Sequence, residues 1–167
     1  MNPYGNILVI RQAEFAVGII TSYTINSIIM NTKKIHIESL IDASIAKVWD
    51  AYNNPNDIKQ WNQASPDWHC PSSENDLRVG GKFKNKMAAK DGSFEFDFEG
   101  SYTEVTPLNS ISYVLGDERT VDISFQERGN STHVSIDFDA ETMNPEEMQK
   151  AGWQAILNSF KNYVEHQ

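Results

Sequence analysis

Phe94-Glu95-Phe96-Asp97-Phe98-Glu99-Gly100-Ser101-Tyr102-Thr103 alternates more strictly than any other stretch of the chain. Phe94, Phe96, Phe98, Gly100 and Tyr102 fall on one side, and Glu95, Asp97, Glu99, Ser101 and Thr103 on the other. Successive strand residues point to opposite faces, so period 2 predicts a strand with one dry face and one wet face. A dry face this aromatic needs a cover. Trp153, Ile156, Leu157, Phe160 and Val164 recur at i, i+3, i+4, i+7 and i+11 and predict one long amphipathic helix. Asn144 is placed to cap it, Pro145 to open its first turn, and Glu147 to return a hydrogen bond in capping-box fashion. A single long helix after a run of antiparallel strands lies across their dry face, which makes the chain an α+β fold.

Working outward, residues 33–41 carry alternating β-branched residues and predict a first strand. Ser44 is a good cap for a short helix bearing Ile45, Val48, Trp49 and Tyr52 on one side. Asn54-Pro55 ends that helix and begins another, because proline lacks only an N–H that a first helical position does not need. The second helix ends near Trp61. Residues 62–65 read as a loop, 68–73 as a strand and 74–76 as a turn. Gly80-Gly81 opens a strand running to Ala89, and Lys90-Asp91-Gly92-Ser93 has the composition of a hairpin turn. Beyond Pro107 the expected strands are 110–115, 119–127 and 132–138, joined by Gly116-Asp117 and Gly129-Asn130.

A length of 167 residues suits one domain with a real core. The net charge of −9 argues against a nucleic-acid surface, which needs clustered Lys and Arg. Cys70 is the single cysteine, so no disulfide forms within the chain, and one thiol fits a reducing cytoplasm. The apolar stretch from Phe15 to Ile29 is too short and too interrupted by Thr, Ser and Asn for a membrane span. With Arg11 the only basic residue among residues 1–29, and Glu14 following it, the N-terminus also lacks the pattern of a signal peptide. Residues 1–29 are therefore expected to be an N-terminal extension, with Met30 as the natural start and 30–167 as the domain.

Several motifs stand in register along this frame. Ala43-Ser44-Ile45-Ala46-Lys47-Val48-Trp49-Asp50-Ala51 is followed by Asn54-Pro55 and Ile58-x-x-Trp61. Asp76-Leu77-Arg78-Val79-Gly80-Gly81, Gly100-Ser101-Tyr102-Thr103-Glu104-Val105-Thr106-Pro107 and Gly152-Trp153-x-x-x-Leu157 come after them. Over residues 33–166 the chain resembles the homologues of the heat-shock-protein-90 ATPase activator, a branch of the START-like (SRPBCC, Bet v-like) superfamily. The resemblance implies a helix-grip fold: a curved antiparallel sheet wrapped around the long C-terminal helix, with two short helices after the first strand. It further implies a cavity between sheet and helix for a small hydrophobic or aromatic molecule, lipid-, polyketide- or flavonoid-like. Trp153, Leu157 and Phe160 would form one wall, and Phe83, Met87, Phe96, Phe98, Tyr102 and Tyr113 the other. Trp61, Trp68 and His69 would stand near the mouth. The resemblance leaves open a cyclase- or hydrolase-like enzyme using the same cavity, and a stress-response role stimulating a chaperone ATPase. A chaperone partner is not expected, since the extra chaperone-binding domain of eukaryotic activators has no counterpart in these residues. A monomer or weak homodimer is expected.

No residue declares a reaction. Gly80-Gly81 lacks the spacing and the following helix of a phosphate-binding loop and reads as a turn or bulge. The adjacent His69 and Cys70 point to opposite strand faces and do not chelate one ion, so neither a metal nor another cofactor is expected. His133 and His166 read as exposed. Cys70 has no neighbouring base and reads as a small core or rim residue. Glu95, Asp97 and Glu99 project in parallel rather than converging, and read as a solvated row with lysine neighbours from the preceding strand. The aromatics either collapse into a plain core or line a cavity, a choice that periodicity leaves open. Removing residues 1–29 is expected to leave a folded domain; a drop in melting temperature beyond about 8 °C, or about 2 kcal/mol, would make the arm integral.

Overall fold

β1 (Lys34–Ile41) turns Ile35, Ile37 and Ile41 inward, and the chain then folds into α1 (Ile45–Asn53) and α2 (Pro55–Trp61). The computed structural model describes residues 33–167, so the 1–29 extension and the boundary at Met30 lie outside the described residues. Six more strands follow: β2 (Trp68–Asn75), β3 (Lys82–Ala89), β4 (Glu95–Thr106), β5 (Ser110–Leu115), β6 (Thr120–Arg128) and β7 (Ser131–Asp139). α3 (Glu146–Glu165) closes the chain. The seven strands form one antiparallel sheet in the order β1-β7-β6-β5-β4-β3-β2. This is the helix-grip arrangement: the sheet curls as a half-barrel and presents its dry face to α3.

Local chemistry accounts for the short helices. The Ser44 hydroxyl accepts from the Lys47 amide at 3.4 Å, one of the donors a helix start leaves unpaired. Asn54 serves both helices, donating its backbone N–H to Asp50 O and accepting the Asn56 amide on Oδ1 at 2.9 Å. Trp61 Nε1 then donates to Ala51 O at 3.0 Å and locks α2 against α1. On the wet face the acidic row of β4 meets the lysines of β3, with Lys84–Asp97 and Lys86–Glu95 both at 2.7 Å. These pairs are exposed, and each contributes little to stability.

Four local expectations change. β2 continues through Glu74 and Asn75, which had read as a turn. It does so across a register shift between His69 and Ser72, where Pro71 has no N–H to offer the ladder. The glycine pair precedes β3 rather than opening it: Gly80 sits at φ 79°, donates to Tyr102 O, and leaves Gly81 to accept from the Tyr102 amide. The cap of α3 moves by one residue to Pro145, which has no side-chain donor or acceptor to offer. Instead the buried Gln149 reaches back, accepting the Glu141 amide at 2.9 Å and donating to Glu141 O and Asn144 O. Asn144 is spent on the Glu141 carboxylate. Finally, His133 is half-buried, with Nε2 3.0 Å from the Glu38 carboxylate, which also faces His36 Nε2 at 3.5 Å.

A Cβ at Gly81 would lie 2.0 Å from Asp76 O, a backbone atom that has no room to retreat. Gly81→Ala should therefore destabilise by about 3 kcal/mol or more, read as a lower urea midpoint with an unchanged slope. On the wet face the hydrogen bond that His36 Nδ1 donates to the Asp137 carboxylate at 2.9 Å raises the pKa of His36, opposed by desolvation and helped by Glu38. A raised histidine adds stability that is fully present below its unfolded value, 6.5, and lost as pH climbs through the folded value. His36→Gln should lower the melting temperature at pH 5.5 and have a smaller effect at pH 8.5, as measured by thermal unfolding.

Candidate functional site

Strand parity sends Phe83, Asn85 and Met87 of β3 inward, with Phe96, Phe98 and Tyr102 of β4 and Ile111, Tyr113 and Leu115 of β5. The cover does not reach them all. α3 packs on β1 and against α1 and α2, so its stripe is spent at one side of the sheet. The space left over β3–β5 is a cavity of about 820 Å³. Small-molecule sites run to about 300–1,000 Å³, so this one has the room for a ligand. Gly100 contributes to its shape, because a Cβ there would lie 2.8 Å from the Phe83 ring and 2.7 Å from Val114 O.

On the helix side, Trp153 stacks on Phe138 at 4.2 Å between ring centres and meets Phe98 edge-on at 6.0 Å. Leu157 and Phe160 complete this wall. The closed end comes from α1 and α2, where Tyr52 lies against Trp61, Phe125 and Phe160 at 5.2–5.4 Å. The Tyr102 hydroxyl donates to Asn75 Oδ1 at 2.7 Å, and Asn75 Nδ2 donates to Asn53 O at 2.7 Å. These bonds lace β4 and β2 to the end of α1. At the opposite end Met143 and Met148 line the cavity while standing exposed, which marks its opening. Arg119 lines this end too, its Nε held by Asp117 at 2.8 Å.

Of the residues expected from sequence, Phe83, Met87, Phe96, Phe98, Tyr102 and Tyr113 line the sheet side, and Trp153, Leu157 and Phe160 the helix side. Trp61 lines the closed end rather than a mouth, because its indole bonds back to α1. Trp68 and His69 do not line the cavity. Trp68 turns to the corner of Phe94 and Phe96, at 6.2 and 6.0 Å, on the strand that α2 covers. Sequence reading missed Tyr52, Asn62, Asn85 and Arg119. Tyr52 sat in view as part of the α1 stripe, and Asn85 shares the inward parity of Phe83 and Met87. Asn62 and Arg119 flank elements whose ends give no such signal.

Burial pushes the phenols of Tyr52, Tyr102 and Tyr113 far up, with the Asn75 bond partly offsetting this at Tyr102. All three stay protonated across the physiological range. Cys70 is buried away from the cavity, donates to Ser72 O, and is pushed up to about 11 by desolvation, which leaves it a poor nucleophile. Among the described residues no group of three or more His, Cys, Asp or Glu is placed to hold a metal ion. No described helix is long and apolar enough to cross a membrane.

The family described as Activator of Hsp90 ATPase homolog 1-like protein matches residues 42–165. The chain belongs to this family. The AHSA1-like protein from Aeromonas hydrophila is 48% identical, with a TM-score of 0.76 over 80% of this chain and 93% of that one. Chr148 from Cytophaga hutchinsonii is 50% identical, with a TM-score of 0.70 over 80% and 92%. CV1439 from Chromobacterium violaceum, at 24% identity and a TM-score of 0.72 over 80% and 98%, shares the fold. No curated protein matches the chain. The family span takes in both short helices, the glycine turn and α3, so every wall of the cavity comes from family sequence.

Proposed function

We propose that this protein binds a small hydrophobic or aromatic molecule in the cavity between the sheet and α3. The observation that carries this reading is the open volume of about 820 Å³ beneath an aromatic wall. Protein interiors close to a density near 0.75, and a core of these side chains would gain dispersion by collapsing. Instead the α3 stripe is committed to β1, and Trp153 is committed to Phe138. An occupant of about 300 Å² apolar area would gain about 7 kcal/mol at roughly 25 cal/mol/Å². Ordering and association costs reduce that gain to the range of micromolar dissociation constants.

A cyclase- or hydrolase-like enzyme would need an acid or base working from the wall near neutral pH. The ionisable groups deep in this wall are phenols held protonated by burial, which favours a carrier, sensor or protector over a catalyst. Native mass spectrometry of freshly purified protein should show a discrete added mass. Leu157 is packed over nearly all of its surface but borders the cavity, so the larger ring of Leu157→Trp should be accommodated on the cavity side. It should weaken binding of flavonoid-like, fatty-acyl or polyketide-like probes by about tenfold while leaving the melting temperature nearly unchanged, read by tryptophan emission and thermal unfolding. A panel that leaves the emission untouched, together with a Leu157→Trp protein destabilised by about 1–3 kcal/mol, would reduce the cluster to plain core.

A further inference from the structure

The closed end of the cavity holds more hydrogen-bonding capacity than the protein uses. The hydroxyls of Tyr52 and Tyr113 make no hydrogen bond among the described residues, and neither does the carboxamide of the buried Asn62. Asn85 accepts the Ser73 hydroxyl on Oδ1 at 2.7 Å and leaves its Nδ2 hydrogens unspent. Among the described residues, the one sealed side-chain polar atom without a partner is His133 Nδ1, on the far face of the sheet. The unspent groups of Tyr52, Tyr113, Asn62 and Asn85 are therefore not sealed, and the surface they keep belongs to the cavity they line. Buried polar groups left without partners are costly, so an occupant that displaces solvent from them must replace its hydrogen bonds.

The charge of this end is as telling as its polarity. Every one of these groups is neutral, and the phenols remain so because burial holds their protons. Charged side chains reach the cavity only at its margins. Asp97 and Glu99 belong to the wet-face ladder with Lys84. Arg119 is neutralised by Asp117, and the Glu141 carboxylate is taken by the Asn144 amide at 3.0 Å and its side chain. A carboxylate driven to the closed end would meet no unpaired cation, because Arg119, whose charge is felt at Tyr113, is already held by Asp117, and burying an unpaired charge costs several kcal/mol.

Building on the binding function proposed above, we propose that the closed end is a subsite for an acceptor oxygen of an uncharged, largely aromatic ligand. A carbonyl oxygen set there, with its two lone pairs, accepts from the Tyr52 and Tyr113 hydroxyls, while the Asn62 and Asn85 amides keep the surrounding wall polar and neutral and the ligand's ring system lies between Phe98, Trp153 and Leu157. The site thereby selects against purely hydrocarbon ligands and against those whose buried end is anionic. A site built to hydrogen-bond a ligand group rejects the analogue lacking it far more strongly than an apolar pocket rejects a missing methylene.

Three probes of equal heavy-atom count test this on the full chain: 2-acetylnaphthalene, 2-isopropenylnaphthalene and 2-naphthoate. Dissociation constants are read by NMR titration at pH 7. The ketone should bind at least about tenfold more tightly than either of the others. The Tyr52→Phe, Tyr113→Phe double variant should cut its advantage over the hydrocarbon to below about threefold without weakening the hydrocarbon. If that variant does not fold, carbonyl-¹³C-labelled ketone on the wild type decides the point: a downfield shift from its value in cyclohexane supports hydrogen-bond donation, and an unchanged position overturns it. Equal affinity for ketone and hydrocarbon, tightest binding of the naphthoate, or an undiminished ketone advantage in a folded double variant would each overturn the subsite while leaving a binding cavity. Failure of all three probes to bind would overturn the cavity function itself, and the subsite with it.

Discussion

The placement of α3 governs everything else in this domain. A twenty-residue helix has one apolar stripe, and here Val164, Phe160 and Leu157 spend it beside β1, α1 and α2. Trp153 continues the stripe and is held by face-to-face stacking on Phe138 of β7. With the helix anchored there, Trp153 touches β4 at Phe98, and most of the inward residues of β3–β5 face α3 across open space. The cavity is the geometric remainder of covering a seven-stranded sheet with a single helix. Its aromatic lining follows from the same constraint, because large rings are what the sheet carries on its dry face.

Much of the fold was legible because its signals are local. Alternation located β4, the Ser44 and Asn54 caps located α1 and α2, and the Trp153–Val164 stripe located α3. The errors fall where a distant partner decides. β2 extends through Asn75 because β3 offers a partner there, Phe83, even after the register shift. The start of α3 is set by Gln149 reaching back to Glu141 and Asn144, an arrangement over eight residues that no capping-box pattern describes. His133 read as exposed because its burial depends on Glu38, from the other end of the chain.

The candidate site was legible in its apolar part and illegible in its polar part. Dry-face parity marked Phe83, Phe96, Phe98, Tyr102 and Tyr113, and helix periodicity marked Leu157 and Phe160. Whether those rings collapse or stand apart depends on the position of the helix over the sheet, which periodicity does not encode. The same parity pointed to Asn85, yet a lone polar residue on an inward face reads as noise until its neighbours are known. Trp68 shows the converse: a tryptophan on a neighbouring strand is buried at a corner with Phe94 and Phe96 and takes no part in the cavity.

The order of strands has a consequence for how the chain comes together. From β3 to β7 each strand pairs with the one just before it, so this part of the sheet grows by successive hairpins. β1 is different, because Lys34 pairs with Asp139 and Ile41 with Thr132, across most of the described chain. Contacts this distant in sequence carry a high closure entropy and slow folding. During synthesis Ile35, Ile37 and Ile41 leave the ribosome about a hundred residues ahead of the β7 residues they pair with. Of the described strands the one made earliest therefore gains its partner only when β7 has been made, and the cavity gains its fourth wall only when α3, which leans on β1, has followed.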